Sequence, residues 1–204
     1  MERRRLLDLP SEYTLIPHIY SGGRGGVDGN VAPRIETNIY ADENTEIGFD
    51  FEDKSIVIGN NYCGVRNPNL AIVTFGSAVK IGSLVYNNPN IQAIPYDNNR
   101  HMYILGDGKL KIDGVSYGTL TKYSFTSVVP ITFFMSNGNT AGGSGWYMAA
   151  ASGYGYYAYI KKNGVMLFEG YPCRRNSDGR IGMYDTVSGQ PFFAEYGIEF
   201  TENP

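Results

Sequence analysis

The chain of 204 residues predicts an all-β fold, an antiparallel two-sheet β-sandwich with little helix. Three observations carry that expectation. Seventeen tyrosines against one tryptophan, with 26 glycines, favour half-buried pleated surfaces joined by tight turns. Short apolar runs alternate with polar residues at a period of two, which places one face inward and one outward. Turn dipeptides ending in glycine separate many of those runs, and several strands at short spacing mean a sandwich or barrel.

The alternation is clearest at 45–51, where Ile47, Phe49 and Phe51 interleave with Glu46, Gly48 and Asp50. Similar runs predict strands at 34–40, 55–58, 70–75, 79–86, 101–105, 131–135, 156–161 and 165–168. Asp107-Gly108, Asp113-Gly114, Asn163-Gly164, Asp178-Gly179 and Ser188-Gly189 supply the positive φ that tight reversals need. Residues 21–32, 87–100 and 137–145 read as long loops. No stretch of a dozen residues shows an apolar stripe at helical spacing, and Arg4 to Leu7 offers a turn at most. Without an internal repeat or a clear linker, one domain is the simplest organisation.

A net charge of −3 supplies no global positive field, so neither nucleic acid nor an anionic membrane is an expected partner. No eighteen apolar residues run together, and residues 1–10 carry charge without an apolar segment, so neither membrane insertion nor a secretory signal is expected. The one basic run, Arg3, Arg4 and Arg5, is either a solvated chain end or an assembly arm that docks on an acidic partner. Cys63 and Cys173 stand far apart with no clustered histidine. They read as two buried free thiols of a protein made in a reducing cytoplasm, not as a disulfide or zinc site.

Three groups of residues bear on chemistry. Glu46, Asp50 and Glu52 share one strand face, and same-face neighbours lie about 6.6 Å apart, near the carboxylate separation of a retaining glycosidase. Gly48 interrupts the series, however, and a solvated outer face is the simpler reading. Trp146, Tyr147, Tyr154, Tyr156 and Tyr157 surround a segment of small residues. Such rings serve either as a platform that stacks on sugar rings or as core and subunit contact, and alternation puts Tyr157 and Tyr159 on one face and Tyr156 with Ala158 on the other. His18 and His101 stand without a carboxylate or cysteine partner at ligand or triad spacing. Neither a nucleophile elbow nor a phosphate loop is present. Calcium is considered at Asp28, Asn30 or Asp107, without the spacing of an EF-hand. No metal, cofactor or catalytic residue is assigned.

Two stretches carry a family pattern. Leu9-Pro10-Ser11-Glu12-Tyr13, followed by Ile35-Glu36-Thr37-Asn38-Ile39, resembles the opening of a laminin-G-like domain family common in phages and prophages of gut bacteria. Tyr159 to Gly164, Tyr171-Pro172-Cys173-Arg174-Arg175 and Ser177 to Asp185 are similar to its closing strands, ending in Val187-Ser188-Gly189 and Phe192-Phe193, with Phe133 to Asn137 a weaker match. The Gly-rich segment 21–32 departs from the short turn usual there. The resemblance implies a concanavalin A-like jelly roll over 13–204 behind a basic arm at 1–12. It also implies a non-enzymatic virion component: a capsid decoration, head-fibre or tail-associated adhesion protein, assembled in the bacterial host cytoplasm and carried on the virion surface. Its expected partners are other virion proteins or further copies of itself in a homo-oligomer, together with host or mucus glycans. A lectin-like carbohydrate-binding module is the alternative and a glycoside hydrolase a third reading. Within the closing motif, Pro172 suits an edge or strand start, while Arg174, Arg175 and Asp185 suggest a charged network fixing the last strands.

Overall fold

The computed structural model describes residues 7–22, 32–54, 61–67, 71–76, 98–119, 124, 126–135, 137–139, 145–147, 152–194 and 199–204. These contain sixteen strands and no helix. In chain order they are β1 (Tyr13–Leu15), β2 (Ile19–Gly22), β3 (Ile35–Asp42), β4 (Thr45–Asp53), β5 (Asn61–Asn67), β6 (Ala71–Gly76), β7 (Arg100–Gly106) and β8 (Lys109–Ile112). The second half adds β9 (Val115–Thr119), β10 (Thr126–Phe133), β11 (Asn137–Asn139), β12 (Gly145–Tyr147), β13 (Ser152–Lys162), β14 (Val165–Arg175), β15 (Ile181–Asp185) and β16 (Gln190–Phe193).

Ten strands form the larger sheet in the order β16-β15-β14-β13-β4-β7-β8-β9, with β1 joined to β14 and β2 to β13. Six form the smaller, β12-β11-β5-β10-β3 with β6 on β5. The expected two-sheet sandwich is therefore present. One pairing departs from the antiparallel expectation: β11 runs parallel to β5, through Asn137↔Val65 and Gly138↔Arg66.

The two sheets meet through aromatic side chains. Phe49 and Phe51 of β4 lie 5.1 Å from Phe133 and 4.8 Å from Tyr62 of the opposite sheet, and Phe49 meets Phe134 edge-on at 5.2 Å. All five are essentially inaccessible to solvent, each worth roughly 1.5–3 kcal/mol against exposure. A buried bond from Tyr62 Oη to Asp53 Oδ2 (2.6 Å) ties β5 to β4.

Glycine turns set the hairpins as the sequence predicts. Asp107-Gly108, Asp113-Gly114 and Asn163-Gly164 all have positive φ at both positions, the type I′ geometry whose twist matches the flanking strands. Elsewhere the strands overrun their sequence signals. β13 and β14 each run eleven residues, and β10 begins at Thr126, five residues before its apolar run. Pro130 sits between two register shifts in that strand, which is how a residue without an N–H is accommodated. Segments read as loops contribute to strands: Asn137–Asn139 forms β11, and Ser21 and Gly22 end β2. The expected strands at 55–58 and 79–86, and Arg3, Arg4 and Arg5, lie outside the described residues.

Pro172 also departs from expectation, because it stands inside β14 with strands on both sides. Residues up to Gly170 pair with β13, whereas Cys173, Arg174 and Arg175 pair with β1. Its carbonyl accepts from Ile16 N at 3.1 Å, so its nitrogen faces the same side, at the fork where β13 peels away and β1 enters. A missing donor costs nothing at that point.

Candidate functional site

The larger sheet's outer face gathers the chemistry. On β4, Ile47, Phe49 and Phe51 point inward, leaving Glu46, Gly48, Asp50 and Glu52 outside. A bulge in β13 between Gly155 and Tyr157 reverses the alternation. Gly155 then faces the core, where an added Cβ would lie 2.5 Å from Phe134, and Tyr154, Tyr156, Tyr157 and Tyr159 all reach the outer side. Tyr156 therefore shares a face with Tyr157 and Tyr159, contrary to simple alternation. From β14, Phe168 and Gly170 point inward and Glu169 and Tyr171 outward.

These tyrosines and carboxylates interlock. Tyr159 donates its hydroxyl to Glu46 at 2.8 Å, Tyr156 to Glu52 at 2.6 Å, and Tyr157 and Tyr171 to one oxygen of Glu169 at 3.1 and 3.2 Å. Thr186 Oγ1 reaches the other Glu169 oxygen at 2.7 Å. Arg100 grips Asp50 with two bonds, at 2.7 and 2.6 Å, and its guanidinium lies 3.7 Å above the Tyr156 ring. Lys54 pairs with Glu52, and Lys161 with Glu46 at 3.4 Å. Tyr154 completes the surface against His18 and Tyr20, at 4.8 and 5.0 Å between rings.

The electrostatics follow from this lattice. Burial pushes the Tyr156, Tyr157 and Tyr159 phenols well above their ordinary values, and the carboxylates they face push further. Burial alone would raise Glu52, but its bonds from Lys54 and Tyr156 and the charges of Lys54 and Arg100 prevail, so its carboxyl titrates below the usual range. The carboxylates of β4 are therefore tied into the lattice, although Glu46 stays partly exposed. Each is held by a tyrosine or a cation, and the Tyr159 ring crosses above Gly48 between Glu46 and Asp50. A glycosidase needs one carboxyl kept protonated as its acid, and Glu52 is biased the opposite way.

The other candidates are dispersed. Trp146 and Tyr147 belong to β12 in the smaller sheet, paired with Gly138 and Asn137, whereas Tyr154 and Tyr156 belong to β13 in the larger. His101 is not without a carboxylate, because the pairing of β7 with β8 brings the β8–β9 turn alongside, with Asp113 Oδ2 2.6 Å from its Nδ1. His18 Nε2 lies 2.8 Å from the Glu202 carbonyl. Arg174 and Arg175 do not meet Asp185. They pair with Glu202 and Asp178, while buried Asp185 accepts from Glu169 N and from Val187 N, Ser188 N and Ser188 Oγ, closing the β15–β16 turn. Asp107 stands in the β7–β8 turn 4.0 Å from Lys109, whereas Asp28 and Asn30 lie outside the described residues. Among the described residues no three His, Cys, Asp or Glu side chains cluster as metal ligands. Cys63 and Cys173 are free, buried and in opposite sheets, and burial alone drives both thiols up, Cys173 to about 12.

Arg100 and Glu169, with Lys54, Thr186 and Tyr20, are members of this surface that the sequence did not single out, and Tyr171 entered only within the closing motif. Glu169 and Tyr171 continue the alternation of β14 beyond 168, but Gly170 and Pro172 make the run look finished. Comparison with family models, with curated proteins and with solved structures finds no match.

Proposed function

We propose that this chain is a non-enzymatic structural component of a bacteriophage virion, a concanavalin A-like jelly roll that assembles through the tyrosine face of its larger sheet. The observation that carries the assembly part is the locked state of that face. Tyr156, Tyr157 and Tyr171 present large rings, with Tyr159 buried beside them, and the hydroxyls of all four are already bonded to carboxylates. A contact made by such side chains sacrifices little rotamer freedom, and Tyr and Arg are the residue types enriched where protein surfaces meet. The virion setting rests on the resemblance of the opening and closing motifs, with attachment on the particle surface, to like copies or to other virion proteins.

Sedimentation of the purified chain tests the assembly reading. A stable oligomer, with any glycan-array signal unchanged in Trp146→Ala, supports it. A monomer whose glycan signal disappears in Trp146→Ala replaces it with a lectin-like module.

A further inference from the structure

A second surface lies at one end of the larger sheet, where three turns converge. The β3–β4, β7–β8 and β13–β14 turns border a half-open pocket of about 220 Å³ lined by Asn44, Glu46, Asp107, Lys161, Asn163 and Gly164. That is below the roughly 300–1,000 Å³ of a site for drug-sized ligands and suits a single sugar ring. Its walls are braced. Asn163 N donates to the Asn44 carbonyl at 3.2 Å, Asp42 Oδ1 caps Asn44 N at 2.9 Å, and the β7–β8 and β13–β14 turns are both type I′.

Glu46 is the fixed point. Gly106 makes room for it, since a Cβ there would lie 2.8 Å from its Cβ. Tyr159 and Lys161 both donate to Oε1, which leaves Oε2 as an acceptor. The Asn163 side chain adds a carboxamide, with one donor group and one acceptor, that makes no hydrogen bond among the described residues. The charges nearly cancel, with Glu46 against Lys161, Asp107 beside Lys109 and Asp42 beside Lys162. An anionic ligand would meet two lining carboxylates, whereas neighbouring hydroxyls of a neutral ring supply both donors and acceptors to this set.

We infer that this pocket binds one neutral monosaccharide unit of a glycan through Glu46, Lys161 and Asn163. The pocket shares Glu46 and Lys161 with the edge of the tyrosine face, but sugar binding and oligomeric state are read by different measurements, so the inference does not rest on the assembly reading.

Titration of the whole protein with galactose, mannose, glucose or N-acetylglucosamine, followed by amide chemical shifts, tests it; sialic acid and phosphate serve as anionic probes. At least one neutral sugar should bind with Kd of about 1 mM and shift the amides of 44–46, 107–108 and 161–164. Asn163→Gly keeps the left-handed turn and removes the carboxamide, and Glu46→Gln keeps the shape and removes the charge. Each should weaken binding ~tenfold while unchanged thermal midpoints show that the fold is intact. The inference is overturned if no neutral sugar shifts these amides at tens of millimolar, if only an anionic probe does, if the shifts centre on Tyr154 and Tyr156, or if both folded variants bind as well as the parent. The oligomeric state is read separately by sedimentation, so either proposal can fail alone.

Discussion

Gly48 is where one atom decides the surface. A Cβ there would fall 2.0 Å from Tyr159 Cε1, and Tyr159 is only 6% exposed, so the ring has little room to retreat. Gly48→Ala should displace that ring, break its bond to Glu46 and cost about 1–3 kcal/mol. Tyr159→Phe removes the bond alone and should cost about 1 kcal/mol. Urea unfolding of the two variants checks the order, and a Gly48→Ala protein as stable as the parent would mean the ring does not sit over that glycine. Glu52 gives a pH prediction at the same scale. Its folded carboxyl titrates below its unfolded value of about 4.3, so its contribution is full above that pH and is lost as pH falls through the lowered folded value. Glu52→Gln should therefore show a shallower loss of stability on acidification than the parent, read from urea midpoints at successive pH values.

At the scale of the element, the bulge in β13 explains the tyrosine face and also why the sequence concealed it. Alternation separates Tyr156 from Tyr157, and no residue type at 155–157 announces the extra residue that reunites them. The hairpins, by contrast, were legible, because Asp-Gly and Asn-Gly name a turn geometry through local backbone sterics alone. β4 was legible too, since both of its faces differ sharply in polarity, whereas the Arg100–Asp50 and Tyr157–Glu169 contacts join residues whose strand pairing local pattern does not encode. The fork at Pro172 belongs with these: a proline reads as an edge until the neighbouring strand is seen to change. Because the folded state holds the Tyr156, Tyr157 and Tyr159 phenols above their unfolded value near 10, their stabilisation is full below that pH and lost as pH rises through the raised folded values. An alkaline absorbance titration should show these three ionising only as the protein unfolds, and tyrosinate formation by all three near pH 10 in folded protein would contradict the lattice.

For the whole molecule, two sheets sharing a core of interleaved aromatic rings leave two outer faces and two rims for function. The locked tyrosine face suits a broad, rigid contact, and a symmetric oligomer would use the same patch on each copy. Leu167 stands 36% exposed on β14, two residues before Glu169, and forms no part of the hydrogen-bonded lattice. A charge placed there should oppose association without disturbing folding, because an unpaired charge inside a contact is costly. Sedimentation equilibrium of the parent beside Leu167→Glu is therefore the most direct test of assembly through this face. The account predicts a parent mass that is a small multiple of 22.5 kDa and a Leu167→Glu protein that is folded and monomeric. A monomeric parent, or an oligomer untouched by the added charge, would contradict it.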